Sequence, residues 1–341
     1  VSNSGTSATG ATQMTAGLNW GNALWRGDLF NFSYTTGTDL GVLHQYSAAY
    51  TVNLSPRHQV TVNGSYSHTQ PVSAPGSSAL GSIGTMANVS PRYVWVVPAA
   101  GGWSGQLSAG FDWKRTNNNL LFGGQSVFTS SASIEQFSID YAGNRSDARG
   151  STSGDLMLVF SPGGLTAGNS DAAFAAQRQG ATARYVYARL SVERATSLSG
   201  GFVWDVRGTG QIADAPLLSS EELILGGEGS VRGFQPFAAA RDEGFILTME
   251  LRAPALHPNL PRRLGMAAGD GLSAFAFVDY GLGRQHGLAG TLLQLTSVGP
   301  GARYQFARYA SVALSYGFIV QHAGLPTSST GRVQVQVSVN Y

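Results

Sequence analysis

Side chains on a β-strand point alternately to its two faces, and this chain is written in that two-residue period almost throughout. The end shows it best. Val333, Val335, Val337, Val339 and Tyr341 fall on one face, and Gln334, Gln336, Ser338 and Asn340 on the other. The same split recurs upstream, with the aromatics of Phe30-Asn31-Phe32-Ser33-Tyr34-Thr35 on one side, and again in Val60-Thr61-Val62-Asn63. In Phe245–Arg252 the odd positions are apolar, and the even ones turn polar from Thr248 on. Val312–Phe318 alternates large apolar with small residues.

A water-soluble sandwich alternates too, so composition has to decide between membrane and water. Charged residues make up only 12% of the 341 residues, about half the usual share of a soluble domain. The hydrophobic 43% is dispersed, with no run of about 18 apolar residues that could form a spanning helix. Glycine is abundant, at 45 residues. This is the pattern of a barrel whose lipid-facing and lumen-facing residues alternate. Two details favour the membrane. Trp20, Trp25, Trp95, Trp103, Trp113 and Trp204 lie near strand ends, as interfacial girdles do. The second face carries Gln, Asn, Ser and Thr rather than Leu and Ile, so it is not a dry core.

Sixteen such runs can be marked, among them 200–213, 219–226 and 243–254. The connections alternate in length. Ser55-Pro56-Arg57 and Ser199-Gly200 are short, whereas 69–81, 163–182 and 227–242 are long, as expected for periplasmic turns facing outer loops. Asp171–Arg178 has good helix formers and reads as one or two helical turns within a long loop. The expected fold is therefore all-β: a 16-stranded antiparallel transmembrane β-barrel over residues 1–341, with 1–12 as a linker or a strand leading in.

The chemistry that can be excluded is broad. With no cysteine there is no thiolate site or disulfide. The six histidines show no metal-ligand spacing, no Gly-x-Ser-x-Gly elbow occurs, and Gly226–Gly233 lacks the Lys-Ser/Thr of a phosphate loop. A net charge of +2 gives no reason to invoke nucleic acid. No catalytic residue, metal or cofactor is assigned, and the chain does not read as an enzyme. Val1 opens a polar stretch without the charged start and apolar core of a signal peptide. The acids Glu221, Glu222, Asp242 and Glu243 sit at strand and loop edges and read as solvated charges.

One stretch stands apart. Leu225-Gly226-Gly227-Glu228-Gly229-Ser230-Val231-Arg232-Gly233-Phe234 is too rich in glycine to be an ordinary strand and reads as a shaped loop. Arg232 cannot shed its charge at ordinary pH. It is either solvated or, if the loop lies inside the barrel, in need of an acceptor. Asp279 is one candidate, since Phe275, Phe277, Asp279 and Gly281 share a strand face, and Gly281 there leaves room for the loop. Glu250, on one face with Arg252, is the competing acceptor. Gly299, Gly301 and Arg303 share another face, where the glycines either make space for the loop or mark a strand bend beside a lumen arginine.

Taken together, several pieces resemble the transporters of two-partner secretion, the TpsB family. They are Leu217-Leu218-Ser219-Ser220-Glu221-Glu222-Leu223-Ile224-Leu225-Gly226-Gly227, Ser230-Val231-Arg232-Gly233-Phe234, Glu250-Leu251-Arg252-Ala253-Pro254, Phe277-x-Asp279-x-Gly281 and Ser297-Val298-Gly299-Pro300-Gly301-Ala302-Arg303. The opening, with Asn22-Ala23-Leu24-Trp25-Arg26-Gly27-Asp28, is similar as well. The resemblance implies a pore in the outer membrane of a Gram-negative bacterium that passes a large unfolded adhesin or cytolysin outward. It also implies that the loop motif Val231, Arg232, Gly233, Phe234 folds into the lumen and that Arg232 pairs with Asp279. Partners so implied are the secreted exoprotein (TpsA type), the outer-membrane assembly machinery, which would read the terminal Tyr341, and lipid or lipopolysaccharide. Family members carry POTRA domains ahead of the barrel, and no such segment is seen in this sequence. A barrel-assembly or autotransporter-type insertase of the same superfamily and a passive porin are the competing readings.

Overall fold

The computed structural model describes residues 12–70, 80–122, 125–260, 269–287 and 292–339. Among the described residues its named elements are strands, apart from one short helix and a single 3-10 turn. The first four strands are β1 (Gln13–Gly21), β2 (Leu29–Gly37), β3 (Leu43–Ser55) and β4 (His58–Thr69). The long strands β5 (Leu80–Ala100), β6 (Trp103–Phe122) and β7 (Gln125–Asp147) follow, then β8 (Gly150–Pro162), helix α1 (Asp171–Gln177), β9 (Arg184–Ser197) and β10 (Val203–Ala213). Two short strands, β11 (Leu223–Leu225) and β12 (Ala239–Arg241), precede β13 (Glu243–Arg252), β14 (Asp270–Arg284), β15 (Leu293–Phe306), β16 (Ala310–Ala323) and β17 (Gly331–Val339).

Fifteen of these form one antiparallel sheet in strict sequence order, with β10 next to β13. Connections therefore fall alternately at the two ends of the sheet. One end has tight turns such as 56–57, 101–102 and 148–149; the other carries the long connections 163–183 and 214–242. All-antiparallel order with hairpin connections is what a chain of alternating strands and turn residues can build without crossovers.

The run 219–226 is the exception to the strand reading. It leaves the wall, and β11 pairs only with β12 in a separate two-stranded hairpin. Among the described residues the wall thus holds fifteen strands, and residues 1–11, which include most of the expected linker, lie outside that set, as does Tyr341. The physical reason is that period two reports a pleated segment with two different faces, and a small inner hairpin meets that condition as well as a wall strand does.

The two faces of the sheet separate cleanly. Phe137, Ile139, Leu156, Leu158, Phe160, Leu190, Val192, Ile212 and Phe318 stand exposed on the outer face. Trp20, Trp25, Trp95, Trp103 and Trp204 are exposed near the tight-turn end, while Trp113 lies part-buried in mid-wall. The inner face is polar over much of its area, but not everywhere. Two apolar clusters sit on it. One gathers Phe174 of α1 with Ile134, Val159, Tyr185, Leu217 and Leu218. The other gathers Leu225, Val231 and Phe234 of the 214–242 connection with Ile246, Leu293 and Leu295 of the wall.

That connection fixes the shape of the sheet. It touches Lys114 of β6, Gln136 of β7 and Tyr187 of β9 at one point, and Glu250 of β13 and Asp279 of β14 at another. Its Gly233 also lies against Ser297 of β15 and Gly317 of β16. One connection can reach the same face of strands from β6 to β16 only if the sheet curls around it. The loop lies in the lumen.

Candidate functional site

Arg232 is carried deep between the strands. Its partner Glu250 is seven residues into β13, which begins at Glu243, or about 23 Å from the long-loop rim at ~3.3 Å per residue. Two glycines shape the descent: Gly226 and Gly227 have φ of 101° and 98°, a conformation that a side chain strains.

At the tip the loop is captured through four hydrogen bonds. Arg232 Nε and NH2 donate to Asp279 Oδ2 and Oδ1, both at 2.8 Å. NH1 donates to Glu250 Oε2 at 2.9 Å, and the Arg232 backbone N–H also reaches Asp279 Oδ2 at 2.9 Å. The Asp279 contact is the two-pronged pairing that suits a planar guanidinium. Arg232 is 7% exposed and Asp279 0%. Both acids considered from sequence are used at once, because a guanidinium has more donors than one carboxylate can accept.

Phe277 and Phe275 complete the seat. The Arg232 guanidinium carbon lies 3.6 Å from the Phe277 ring centroid and that of Arg303 lies 4.2 Å from Phe275, within cation–π range. Arg303 donates to both oxygens of Glu250, and Arg252 Nε stands 3.6 Å from Glu250 Oε1. Three arginines thus share two carboxylates.

The glycines opposite do not make room for the loop, as sequence suggested for Gly299 and Gly301. In the register Phe275 faces Gly301 and Phe277 faces Gly299. A Cβ on Gly301 would meet the Phe275 ring at 2.1 Å, and one on Gly299 the Phe277 ring at 2.9 Å. Each ring reaches over the bare glycine backbone opposite it, in space a side chain there would take. Loop clearance comes from Gly281 and Gly317. A Cβ on Gly281 would sit 2.8 Å from Leu225 Cδ2 and 2.9 Å from Val231 Cγ2, and one on Gly317 2.4 Å from the Arg232 carbonyl oxygen.

The acids at the stem are not solvated, contrary to the sequence expectation for Glu221, Glu222 and Asp242. Glu221 is 1% exposed and accepts from Lys114 Nζ at 2.8 and 3.0 Å, Gln136 Nε2 at 2.9 Å and Tyr187 OH at 2.9 Å. Asp242, 0% exposed, accepts from Arg178 NH1 and NH2 at 2.7 Å and from the Leu217 N–H. Arg178 also reaches Glu222 at 3.0 Å. Adjacent carboxyls diverge. Burial would raise Glu221, yet Lys114 and the other donors hold it below the usual range. Burial pushes Glu222 up despite Arg178. Glu243 is not solvated either: its side chain is 14% exposed and pairs with Arg284 and with His286. The curl of the sheet brings distant strands under the loop, and a local reading of sequence does not see that.

On the tight-turn side of the tip lies a cavity of about 430 Å³ whose lining includes Glu193, Asp205, Arg207, Glu228, Arg252 and Arg303. This part of the lumen is rich in charge of both signs. Among the described residues no group of acids and histidines could hold a metal ion.

Residues 1–304 match the haemolysin secretion/activation protein family, ShlB/FhaC/HecB. The chain belongs to this family. Among curated proteins it is 31% identical over 134 residues to the heme/hemopexin transporter protein HuxB of Haemophilus influenzae strain 86-028NP, covering 37% of this chain and 22% of that protein. HuxB of strain ATCC 51907 is 35% identical over 98 residues, 29% of this chain and 15% of the relative. The chain thus matches well under a third of the length of these relatives. Among solved structures, CdiB from Escherichia coli superposes with a TM-score of 0.83 at 19% identity, over 99% of this chain and 61% of that one. BamA from Haemophilus ducreyi lacking POTRA domains 1-3 gives 0.62 at 13%, over 96% and 67%. At such identities the likeness concerns the fold, which is that of an outer-membrane β-barrel. As a family member the chain is a barrel of the two-partner secretion type, and its place is the outer membrane of a Gram-negative bacterium.

Proposed function

We propose that this barrel exports a large unfolded exoprotein and that the connection 214–242 keeps the pore shut at rest, with Arg232 as the latch. The observation that supports the reading most is the capture of Arg232 by Asp279 and Glu250 inside the lumen. In this reading Val231 and Phe234 pack the tip against the wall, Phe277 and Gly281 shape its seat, and Arg252 and Arg303 balance Glu250. An incoming chain enters from the tight-turn side, into the charged cavity next to Glu228. No nucleotide site is assigned, so folding of the cargo outside is what makes passage one-way. The cargo is a secreted protein of the TpsA class. The apolar outer face meets lipid and lipopolysaccharide, and the segment ending at Tyr341 is read by the assembly machinery.

The test is export of the cognate exoprotein from cells carrying Arg232→Ala. The barrel is expected to assemble normally, shown by heat-modifiable migration, while secreted cargo falls. Unchanged export would remove the loop from the mechanism. A steady open conductance in the unaltered protein would favour a passive porin instead.

A further inference from the structure

The tip is not the only place where the connection is tied to the wall. Glu221 lies eleven residues before Arg232 in sequence and binds an entirely different set of strands. Its carboxylate receives Lys114 from β6, Gln136 from β7 and Tyr187 from β9. None of these residues touches Arg232, Asp279 or Glu250 through a hydrogen bond, so the two contacts share no partner. Between them lie Gly226 and Gly227 with positive φ, where the backbone turns from one contact toward the other.

The stem contact is held in depth. Tyr185 OH donates to Gln136 Oε1 at 2.6 Å, which fixes the amide that serves Glu221. The Glu221 carbonyl oxygen accepts from Gln211 Nε2 at 3.0 Å. Since Glu221 belongs to the connection leaving β10 and Lys114 to β6, the segment 214–222 reaches across the inner face over β9, β8 and β7. Lys114 is also the only lysine in the chain, against twenty arginines.

We propose that Lys114 and Glu221 form a second, independent latch, so that releasing Arg232 frees the tip but leaves the stem across the lumen. Lys114 is then a positioning residue of the pore. This deepens the export reading and rests on it only for the purpose the latch serves.

The single lysine makes the contact directly readable. A water-soluble amine-acetylating ester modifies a free lysine amine, and digestion followed by mass spectrometry separates Lys114 from the chain's α-amine. The experiment compares the unaltered protein, Glu221→Gln, Arg232→Ala and the double variant, all folded in lipid vesicles and checked by heat-modifiable migration. Glu221→Gln is expected to speed Lys114 acetylation by roughly tenfold, the rate change that about 1.4 kcal/mol of lost local stability gives. Arg232→Ala should leave it at the unaltered rate. Conductance should rise partway in each single variant and furthest in the double.

Equal acceleration of acetylation by Arg232→Ala and by Glu221→Gln would mean one latch, not two, and overturn the proposal. So would a Lys114 that already reacts in the unaltered protein as fast as in Glu221→Gln. If Arg232→Ala changes neither conductance nor amide exchange of 228–234 while Glu221→Gln still speeds acetylation, the tip reading fails and the stem latch stands. Should Glu221→Gln fail to assemble, Lys114→Gln read by conductance decides the matter: conductance at the unaltered level in Lys114→Gln, and no gain when it is combined with Arg232→Ala, would overturn it.

Discussion

Arg232 is a buried charge, and its energetics are asymmetric. Removing one member of such a pair strands the other and costs up to about 3–5 kcal/mol, whereas removing both costs far less. Arg232→Ala and Asp279→Ala should therefore each loosen the tip, and the double variant should lose much less than their sum, a coupling of roughly 1–3 kcal/mol. Amide exchange of residues 228–234 measures it, and additive losses would show that the pair is solvated. Glycine offers a second test at the same scale. Alanine at Gly317 would collide with backbone and at Gly281 with Leu225 and Val231, while at Gly229 nothing lies within 4 Å. Conductance should rise most for Gly317→Ala, less for Gly281→Ala, and not at all for Gly229→Ala. Arg232 stood out in the sequence as the permanent charge of a glycine-rich loop, and its pairing with Asp279 was what the family resemblance implied. Glu221 did not, since a carboxylate at a strand edge looks the same whether it is wet or buried, and its lysine lies 107 residues away.

Packing, rather than the ion pair alone, gives the loop its place. Leu225, Val231 and Phe234 are all buried, and at about 1.5–3 kcal/mol per fully buried side chain their contribution rivals that of the latch. The polar second face expected from the sequence gives way here, because Leu293 and Leu295 continue the alternation of β15 but turn their apolar side inward toward the hairpin. The run 219–226 likewise carries the period of a wall strand, because a hairpin satisfies it equally well. The α1 segment was legible, since Asp171–Arg178 is made largely of good helix formers, and in the structure the Ser170 side chain caps it by accepting from the Ala173 N–H. Phe174 then ties that helix to Ile134 and Tyr185, and Arg178 at its end clasps Asp242 and Glu222. Arg178→Ala strands two carboxylates at the loop base, so faster exchange is expected in 217–222 and 240–243 while the tip stays protected. Exchange confined to 163–182 would show that the clasp serves the helix alone.

At the scale of the whole molecule, one chain presents two solvents to its two faces, and neighbouring residues report the difference. On β9, Leu190 is exposed on the outer face, while Ser191 points inward and shares a hydrogen bond with Thr209 at 3.1 Å. Both lie at the middle of the fourteen-residue strand Arg184–Ser197, so depth in the membrane is matched. An arginine on the lipid face at the bilayer midplane costs about 2–4 kcal/mol, whereas a lumen-facing one meets water and acids. Asp205 and Glu193 line the cavity on that inner side, close enough along the neighbouring positions to favour a cation. Leu190→Arg should therefore lower the folded-to-unfolded equilibrium constant, read by urea titration in phosphatidylcholine vesicles, by more than tenfold, since 1.4 kcal/mol is a factor of ten, and Ser191→Arg should fold nearly as well as the unaltered chain. Gel mobility without heating separates folded from unfolded barrel and reads both. If the two variants folded equally, the faces would not see different solvents, and the sheet would not be a membrane wall.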